Sequence, residues 1–428
     1  MFKSTILKPS PNKRLTNLLG KEFITPRYEN QSIANVPATI GRLLGVNRGY
    51  SSPALHADII NSLGTDVDRI ILMVVDGMGF NRLERQLQNN DHGFDNILKN
   101  HGITYSPITS VSPSTTCVAT SVLLSNGALA AEMGMMGYMF LLPKLALIAN
   151  MLFWLPAYKV KARIAELTDW GIEPESFLPN PSMAQTLSSK NIPMRVIMPD
   201  AYKNSPLSRM QLRGAEIDGF IGATDMWLKL KSWLSETSSK KAFAYSYYPD
   251  FDSLSHRDTA DAEIWDALWR EFNFQLNTFI NSLSSAQRHK TIFLITADHG
   301  HINTPLEKRV YLEDHPFLLE NSIMMPGGEP RQMYFYAQNG QKQAIIDYAK
   351  ENLPSFLALD AKEALVAGLY GDTTNIHPES SRRLGDVILL SKDESYLWPK
   401  AVERQLLSKH GGLLADEAIV PFIALRLD

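Results

Sequence analysis

The feature that most constrains this chain is a series of short runs that are apolar at odd and even positions alike. They are RIILMVVD (69–76), TYSPITSV (104–111), PMRVIM (193–198), KAFAYSYY (241–248), TIFLITAD (291–298), DVILLS (386–391) and IVPFIAL (419–425). A strand with one wet face alternates apolar and polar residues, so several of these runs suit strands covered on both faces. Between them, TDMWLKLKSWLSE (224–236) and DAEIWDALWREFNFQLNTFINSL (261–283) repeat their apolar residues every three or four positions, which is the helical period. Strand then helix, repeated, predicts an α/β fold with a largely parallel central sheet sandwiched between helices. With 44% of 428 residues hydrophobic, the chain can bury a full core, and residues 1–428 read as a single catalytic α/β domain. The long part before His410 has its own punctuation (PGGEPRQ, YGDTTNIHPESSRR) and strand-like pieces (QMYFY, ALVAGLYG). It reads as an inserted subdomain or excursion over roughly residues 306–404.

Several function classes recede on composition. A formal charge of −3 without a sustained Lys/Arg stripe gives no electrostatic footprint for nucleic acid. Cys117 is the one cysteine, so no internal disulfide is possible and a cytoplasmic address is expected. The first residues hold no apolar run of signal-peptide type. The apolar stretch MFLLPKLALIANMLFWLP (139–156) approaches membrane-spanning length but contains Pro143, Lys144 and Asn150. It reads as a buried or interfacial segment near the active site, with no membrane span expected.

Parallel α/β sheets collect ligand groups in the loops past the carboxyl ends of their strands. Asp76 closes VVDGMG, Asp252 and His256 stand as D-x-x-x-H in YPDFDSLSH, Asp298 and His299 end FLITADHG, and His410 precedes two glycines before the last strand. Each alone has a plainer reading: a strand-end Asp is often a helix cap or turn former, a D-x-x-x-H pair a surface contact, a lone His structural. Together they are three carboxylates and three imidazoles, five of them at or near inferred strand ends. Mixed Asp/His donors suit Zn²⁺ or a similar transition metal better than Ca²⁺ or Mg²⁺, and six donors are enough for two ions.

VVDGMG, PSTT before a helix, DSLSH, ADHG and HGG, in that order, resemble the alkaline phosphatase superfamily, and within it the type I phosphodiesterase/nucleotide pyrophosphatase family. The likeness runs from about residue 69 to the C-terminus. It implies an alkaline-phosphatase-like fold and a two-zinc site. One metal would be held by Asp252, His256 and His410, the other by Asp76, Asp298 and His299, with a nucleophilic threonine bridging toward it. The Pro-x-x-Thr pattern places that nucleophile at Thr116, with Thr115 the alternative by a one-residue slip. Cys117 becomes a packed helix residue. A divalent cation acidifies a bound hydroxyl as it does a bound water, which accounts for a threonine alkoxide and a covalent phosphoryl-threonine.

Three positions depart from the family. Glu132-Met133-Gly134 stands where relatives have His-Gly. Tyr138 stands where nucleotide pyrophosphatases have a phosphate-binding asparagine, and can donate one hydrogen bond in substrate binding. Ser125-Asn126-Gly127 replaces Thr-Gly at a helix end. A sulfatase would need a Cys or Ser in C/S-x-P-x-R context, which Cys117-Val118-Ala119 does not supply. Phosphomonoesterases place an arginine beside the nucleophile, whereas Cys117 stands there, which favours a diester. The expectation is a phosphodiesterase or nucleotide pyrophosphatase acting on a small-molecule phosphate ester. A phosphonate hydrolase or a phosphomonoesterase on the same frame is the alternative, and a non-catalytic scaffold the remote one.

Overall fold

Arg69–Val75, with every residue buried, forms β1 at the centre of a seven-stranded sheet. The other strands, in chain order, are β2 (Ile103–Thr109), β3 (Met194–Pro199), β4 (Glu216–Phe220), β5 (Ala242–Tyr248), β6 (Thr291–Thr296) and β7 (Ile419–Arg426). Their order across the sheet is β2-β7-β6-β1-β5-β3-β4. β1 pairs in parallel with β5 and β6, and β3 in parallel with β4 and β5. β7 alone runs antiparallel, between β2 and β6. The computed structural model describes residues 7–88, 103–158, 166–261, 263–400, 402 and 405–428. Residue 262 in the expected helix and residues 401, 403 and 404 in the expected excursion lie outside that description.

The predicted α/β class is therefore what the chain adopts, and the strand pattern was sound for six of the seven central strands. Register then fixes where loops emerge. Val75 pairs with Tyr248, and Val74 with Thr296, so β1, β5 and β6 end at one edge. Ile419, the first residue of the reversed β7, pairs with Thr109, the last of β2, so the loops after β2 and before β7 reach that same edge. Helices α1 (Thr116–Leu124), α2 (Gly222–Glu236), α3 (Asp250–Asp258) and α4 (Glu263–Ser282) follow β2, β4 and β5 in the chain. α4 turns Trp265, Leu268, Trp269, Phe272 and Leu276 inward at helical spacing, which is why its pattern was legible.

DVILLS is a strand, as expected, but its residues Val387–Ser391 belong to a second, antiparallel seven-stranded sheet. That second sheet combines strands within 327–391 with the apolar segment 139–156, which folds as strands Met139–Leu142, Leu147–Asn150 and Leu155–Pro156. The pattern misled in two places. ALVAGLYG is no strand: Asp360 accepts from the Lys362 and Glu363 amides and starts the helix Ala361–Val366. β4, EIDGF, was missed because an edge strand with Glu216 and Asp218 partly open to water needs no doubly apolar run. No helix among the described residues is long and apolar enough to cross a membrane.

Candidate active site

The loops at the shared sheet edge bring the sequence-predicted residues together. Asp252 and His256 lie one turn apart on α3, with His256 Nε2 3.2 Å from Asp252 Oδ1. His410 Nε2 lies 3.7 Å from the same oxygen. A third imidazole, His301, which the sequence reading passed over, comes closest, its Nε2 2.8 Å from Asp252 Oδ1. Asp252, His256, His301 and His410 thus form a group with one donor atom each, all within 4.8 Å of one another. Asp76, Asp298 and His299 form a second such group. The two adjoin, since the rings of His299 and His410 stack at 3.6 Å between centroids.

Backbone geometry makes the convergence possible. Gly77 follows Asp76 with φ +76°, and a Cβ there would lie 2.9 Å from the Asp252 main chain and 2.8 Å from the His301 ring. A side chain at 77 would push the two donor groups apart.

Six of the seven donors are held from behind. Nδ1 of His256 is 2.7 Å from the Ser408 carbonyl, Nδ1 of His299 3.0 Å from the Gly300 carbonyl, and Nδ1 of His410 3.1 Å from the Ser114 carbonyl. A carbonyl only accepts, so in the neutral ring the proton sits on Nδ1 and the lone pair of Nε2 faces inward. His301 Nδ1 is anchored 2.8 Å from Ser408 Oγ. Asp76 Oδ2 accepts from the Tyr247 hydroxyl, and Asp298 Oδ1 accepts from the amides of Gly77 at 3.3 Å and His299 at 3.0 Å.

The remaining oxygens of these two aspartates, Asp76 Oδ1 and Asp298 Oδ2, are buried without a hydrogen-bond partner. They lie 3.3 and 3.5 Å from His299 Nε2. Orphaned buried carboxylate oxygens are costly, and a cation shared with an imidazole nitrogen is what would satisfy them. The residues present therefore fit divalent metal ions in both groups.

The electrostatics carry the same signature. Burial, reinforced by Asp298 and Asp252, pushes the Asp76 carboxyl well above the usual carboxylate range. Burial, helped by His299, holds His410 well below the histidine range, and burial holds His301 down at about 3. Both rings are therefore neutral, as ligation requires. Burial also lowers His256 and raises Asp252, but their mutual attraction outweighs it, leaving His256 raised and Asp252 held low.

Thr116, first residue of α1, places Oγ1 3.2 Å from His299 Nε2. Thr115 is the N-cap residue, almost fully buried, and its hydroxyl bonds to Glu329 instead. Cys117 is free and buried. Tyr138 is half-buried, and its backbone N–H donates to Glu329 Oε1 at 2.7 Å. Of the departures, Glu132 accepts from Ser51 Oγ at 2.7 Å and Asn180 Nδ2 at 2.8 Å, a joint between loops. Asn126 takes φ +59° past the end of α1.

The sequence profile of the type I phosphodiesterase/nucleotide pyrophosphatase family matches residues 70–412. The chain belongs to this family. As a type I phosphodiesterase family member it is an enzyme, a metal-dependent phosphoric ester hydrolase. No curated protein sequence matches it. Among solved structures it is similar to murine ectonucleotide pyrophosphatase/phosphodiesterase 5, at 15% identity over 83% of this chain and 87% of that one, TM-score 0.63. An inactive variant of that murine protein was solved in complex with AMP. Phosphonoacetate hydrolase from Sinorhizobium meliloti, solved with phosphonoformate, is similar at 16% identity over 84% and 90% of the two chains, TM-score 0.59. These likenesses show the shared fold, in agreement with the expected alkaline-phosphatase-like architecture.

His301 had a readable signal: it sits two residues past His299 in the same strand-end segment, where the predicted donors were already concentrated. Glu329 had none, because nothing in PGGEPRQ marks a carboxylate destined for the neighbourhood of Thr115.

Proposed function

We propose that this type I phosphodiesterase family member uses two zinc ions to cleave a phosphodiester or pyrophosphate bond in a small-molecule substrate, with Thr116 as nucleophile. The observation that carries the reading is the approach of Thr116 Oγ1 to His299 Nε2, beside the two orphaned oxygens of Asp76 and Asp298. Asp76, Asp298, His299 and Thr116 would hold one ion; Asp252, His256 and His410, joined by His301, would hold the other. Bound there, the ions would acidify a hydroxyl and draw charge away from phosphorus.

The chain's own residues supply the rest. Thr116 Oγ1 forms the new bond to phosphorus as the bond to the leaving oxygen breaks, giving a phosphoryl-threonine that water then hydrolyses. Thr115 makes no side-chain cap bond to α1, so amides of the first turn remain for an equatorial phosphoryl oxygen at the positive end of the helix. The engagement of Thr115 with Glu329 favours Thr116 over Thr115. Tyr138, whose backbone N–H meets the same Glu329 carboxyl as Thr115, is the proposed substrate-binding residue. The second sheet is proposed to act as the inserted subdomain that shapes the pocket for the leaving group. A cytoplasmic address belongs to this reading, supported by a single cysteine that is free and buried.

Similarity to phosphonoacetate hydrolase favours a second reading, phosphonate cleavage on the same frame. Zinc-loaded protein should hydrolyse bis-p-nitrophenyl phosphate faster than p-nitrophenyl phosphate or phosphonoacetate, and Thr116→Ala should abolish turnover. Faster release of phosphate from phosphonoacetate would select the second reading. Wild-type turnover in Thr116→Ala would remove the proposed nucleophile.

A further inference from the structure

Arg331 and Glu417 are both fully buried, and neither belongs to the two donor groups. The guanidinium meets the carboxylate as a fork, Nε to Oε2 at 2.8 Å and Nη2 to Oε1 at 2.9 Å. Arg331 stands in the turn between strands Gly327–Glu329 and Gln332–Phe335 of the second sheet, and its Nη1 also donates to the carbonyls of Asp393 and Ser395. Glu417 precedes β7 and grips the loop that carries His410: Oε2 accepts the Gly412 amide at 3.1 Å and Oε1 the Leu414 amide at 3.1 Å. Two guanidinium and two amide hydrogens use the four acceptor directions of a carboxylate, so its orientation is fully determined.

The other side of that loop is held by the turn before Thr116. Ser114 Oγ donates to the Gly412 carbonyl at 2.7 Å and accepts from the Gly411 amide at 3.2 Å, and the Ser114 carbonyl accepts from His410 Nδ1. The His299–His301 segment is held differently, by the Glu417 main chain. Its carbonyl accepts the Gly300 amide at 2.9 Å, and a Cβ on Gly300 would lie 2.0 Å from the Asp416 carbonyl oxygen. Side-chain changes at 417 therefore remove one of the two holds on the His410 loop and spare the main-chain contact to the His299 segment.

A buried ion pair is poor evidence of added stability, since desolvation offsets its attraction. We propose that Arg331 and Glu417 are positioning residues, through which the second sheet fixes the His410 loop and so sets the cation affinity of the Asp252–His256–His301–His410 group. This rests on the two-metal reading given above.

The test is zinc titration of chelator-stripped protein against a chromophoric competitor, which resolves two binding steps if two ions bind. His410→Ala and Asp298→Asn identify which step belongs to which group. The informative variant is Arg331→Met combined with Glu417→Gln, which leaves no isolated buried charge. It should weaken the step that His410→Ala weakens by about 10–100-fold and leave the other within about twofold, the scale of lost outer-shell support. Arg331→Lys keeps the charge but not the fork, and should weaken the same step less; it carries the test should the double variant not fold. Two wild-type steps that both survive unchanged in the variants, or that weaken equally, would overturn the positioning role and leave the two-metal reading standing. A wild-type chain binding fewer than two ions would overturn both.

Discussion

Replacing Glu329 by glutamine should change how the metal-free protein responds to pH, by an amount the structure sets. The Glu329 side chain is 3% exposed, and burial pushes its carboxyl from 4.5 up to about 8 despite hydrogen bonds from the Tyr138 amide and the Thr115 hydroxyl. In the unfolded chain it loses its proton near 4.5, and in the folded chain only near 8. Between those values the unfolded state binds fewer protons, so unfolding becomes easier as pH rises; below 4.5 the full contribution is present, and above 8 it is lost. At 1.36 kcal/mol per pH unit, that window amounts to about 4–5 kcal/mol. Glutamine keeps the shape and an acceptor oxygen but cannot ionise. Urea unfolding of chelator-stripped wild type and Glu329→Gln, from pH 5 to 9, should show their stability difference moving in the variant's favour by about that much. Parallel stability curves for the two proteins would refute the reasoning, because they would mean that Glu329 ionises in the fold as readily as in the unfolded chain.

Thr116→Val should remove activity altogether, while Thr115→Val should stay within about tenfold of wild type, as steady-state hydrolysis of bis-p-nitrophenyl phosphate would measure. His301→Ala should lower zinc affinity by at least the roughly 10–100-fold that an outer-shell partner supplies, and match His256→Ala in which binding step it weakens. His256 is raised above the ordinary histidine value because Asp252 outweighs its burial, so it takes a proton first as pH falls. Zinc release followed by a chromophoric chelator should therefore begin as pH drops through the neutral range.

The legible part of this protein was the part whose signals are local. Strands covered on both faces announce themselves by losing alternation, and the strand-end rule for parallel sheets then pointed to Asp76, Asp252, Asp298 and His299 without any knowledge of contacts. His256 followed from helical spacing to Asp252. What stayed hidden was long-range pairing. The segment 139–156 shows only that it is apolar, and its partners lie nearly two hundred residues away in the strand Gly327–Glu329, through the Gly328–Met139 pair. Glu329, Arg331 and Glu417 reach the site through that pairing and through the last loop, and an antiparallel hairpin has no rule that assigns function to one of its ends. ALVAGLYG was misread because its apolar content masked the cap supplied by Asp360, one residue before the helix begins.

The charge arrangement links folding to the ions. Among the described residues, the ion-pair partners of Asp76, Asp252 and Asp298 are all histidines. His301 and His410 are held neutral, so they bring no charge to offset the carboxylates. Two buried acids and a half-buried one beside a single raised imidazole leave the metal-free site electrically unbalanced. Protonation of Asp76 relieves the imbalance in the metal-free chain, which is the direction its carboxyl is pushed. Divalent cations relieve it without a proton, and restore both orphaned oxygens at the same time. Stripping the ions should then cost stability that grows with pH as Asp76 is forced to ionise, so the stripped protein should lose more stability on raising the pH than the loaded one. Equal pH dependence of the stripped and loaded forms would mean that the acids find their counter-charge elsewhere, and the case for cations at this sheet edge would fall with it.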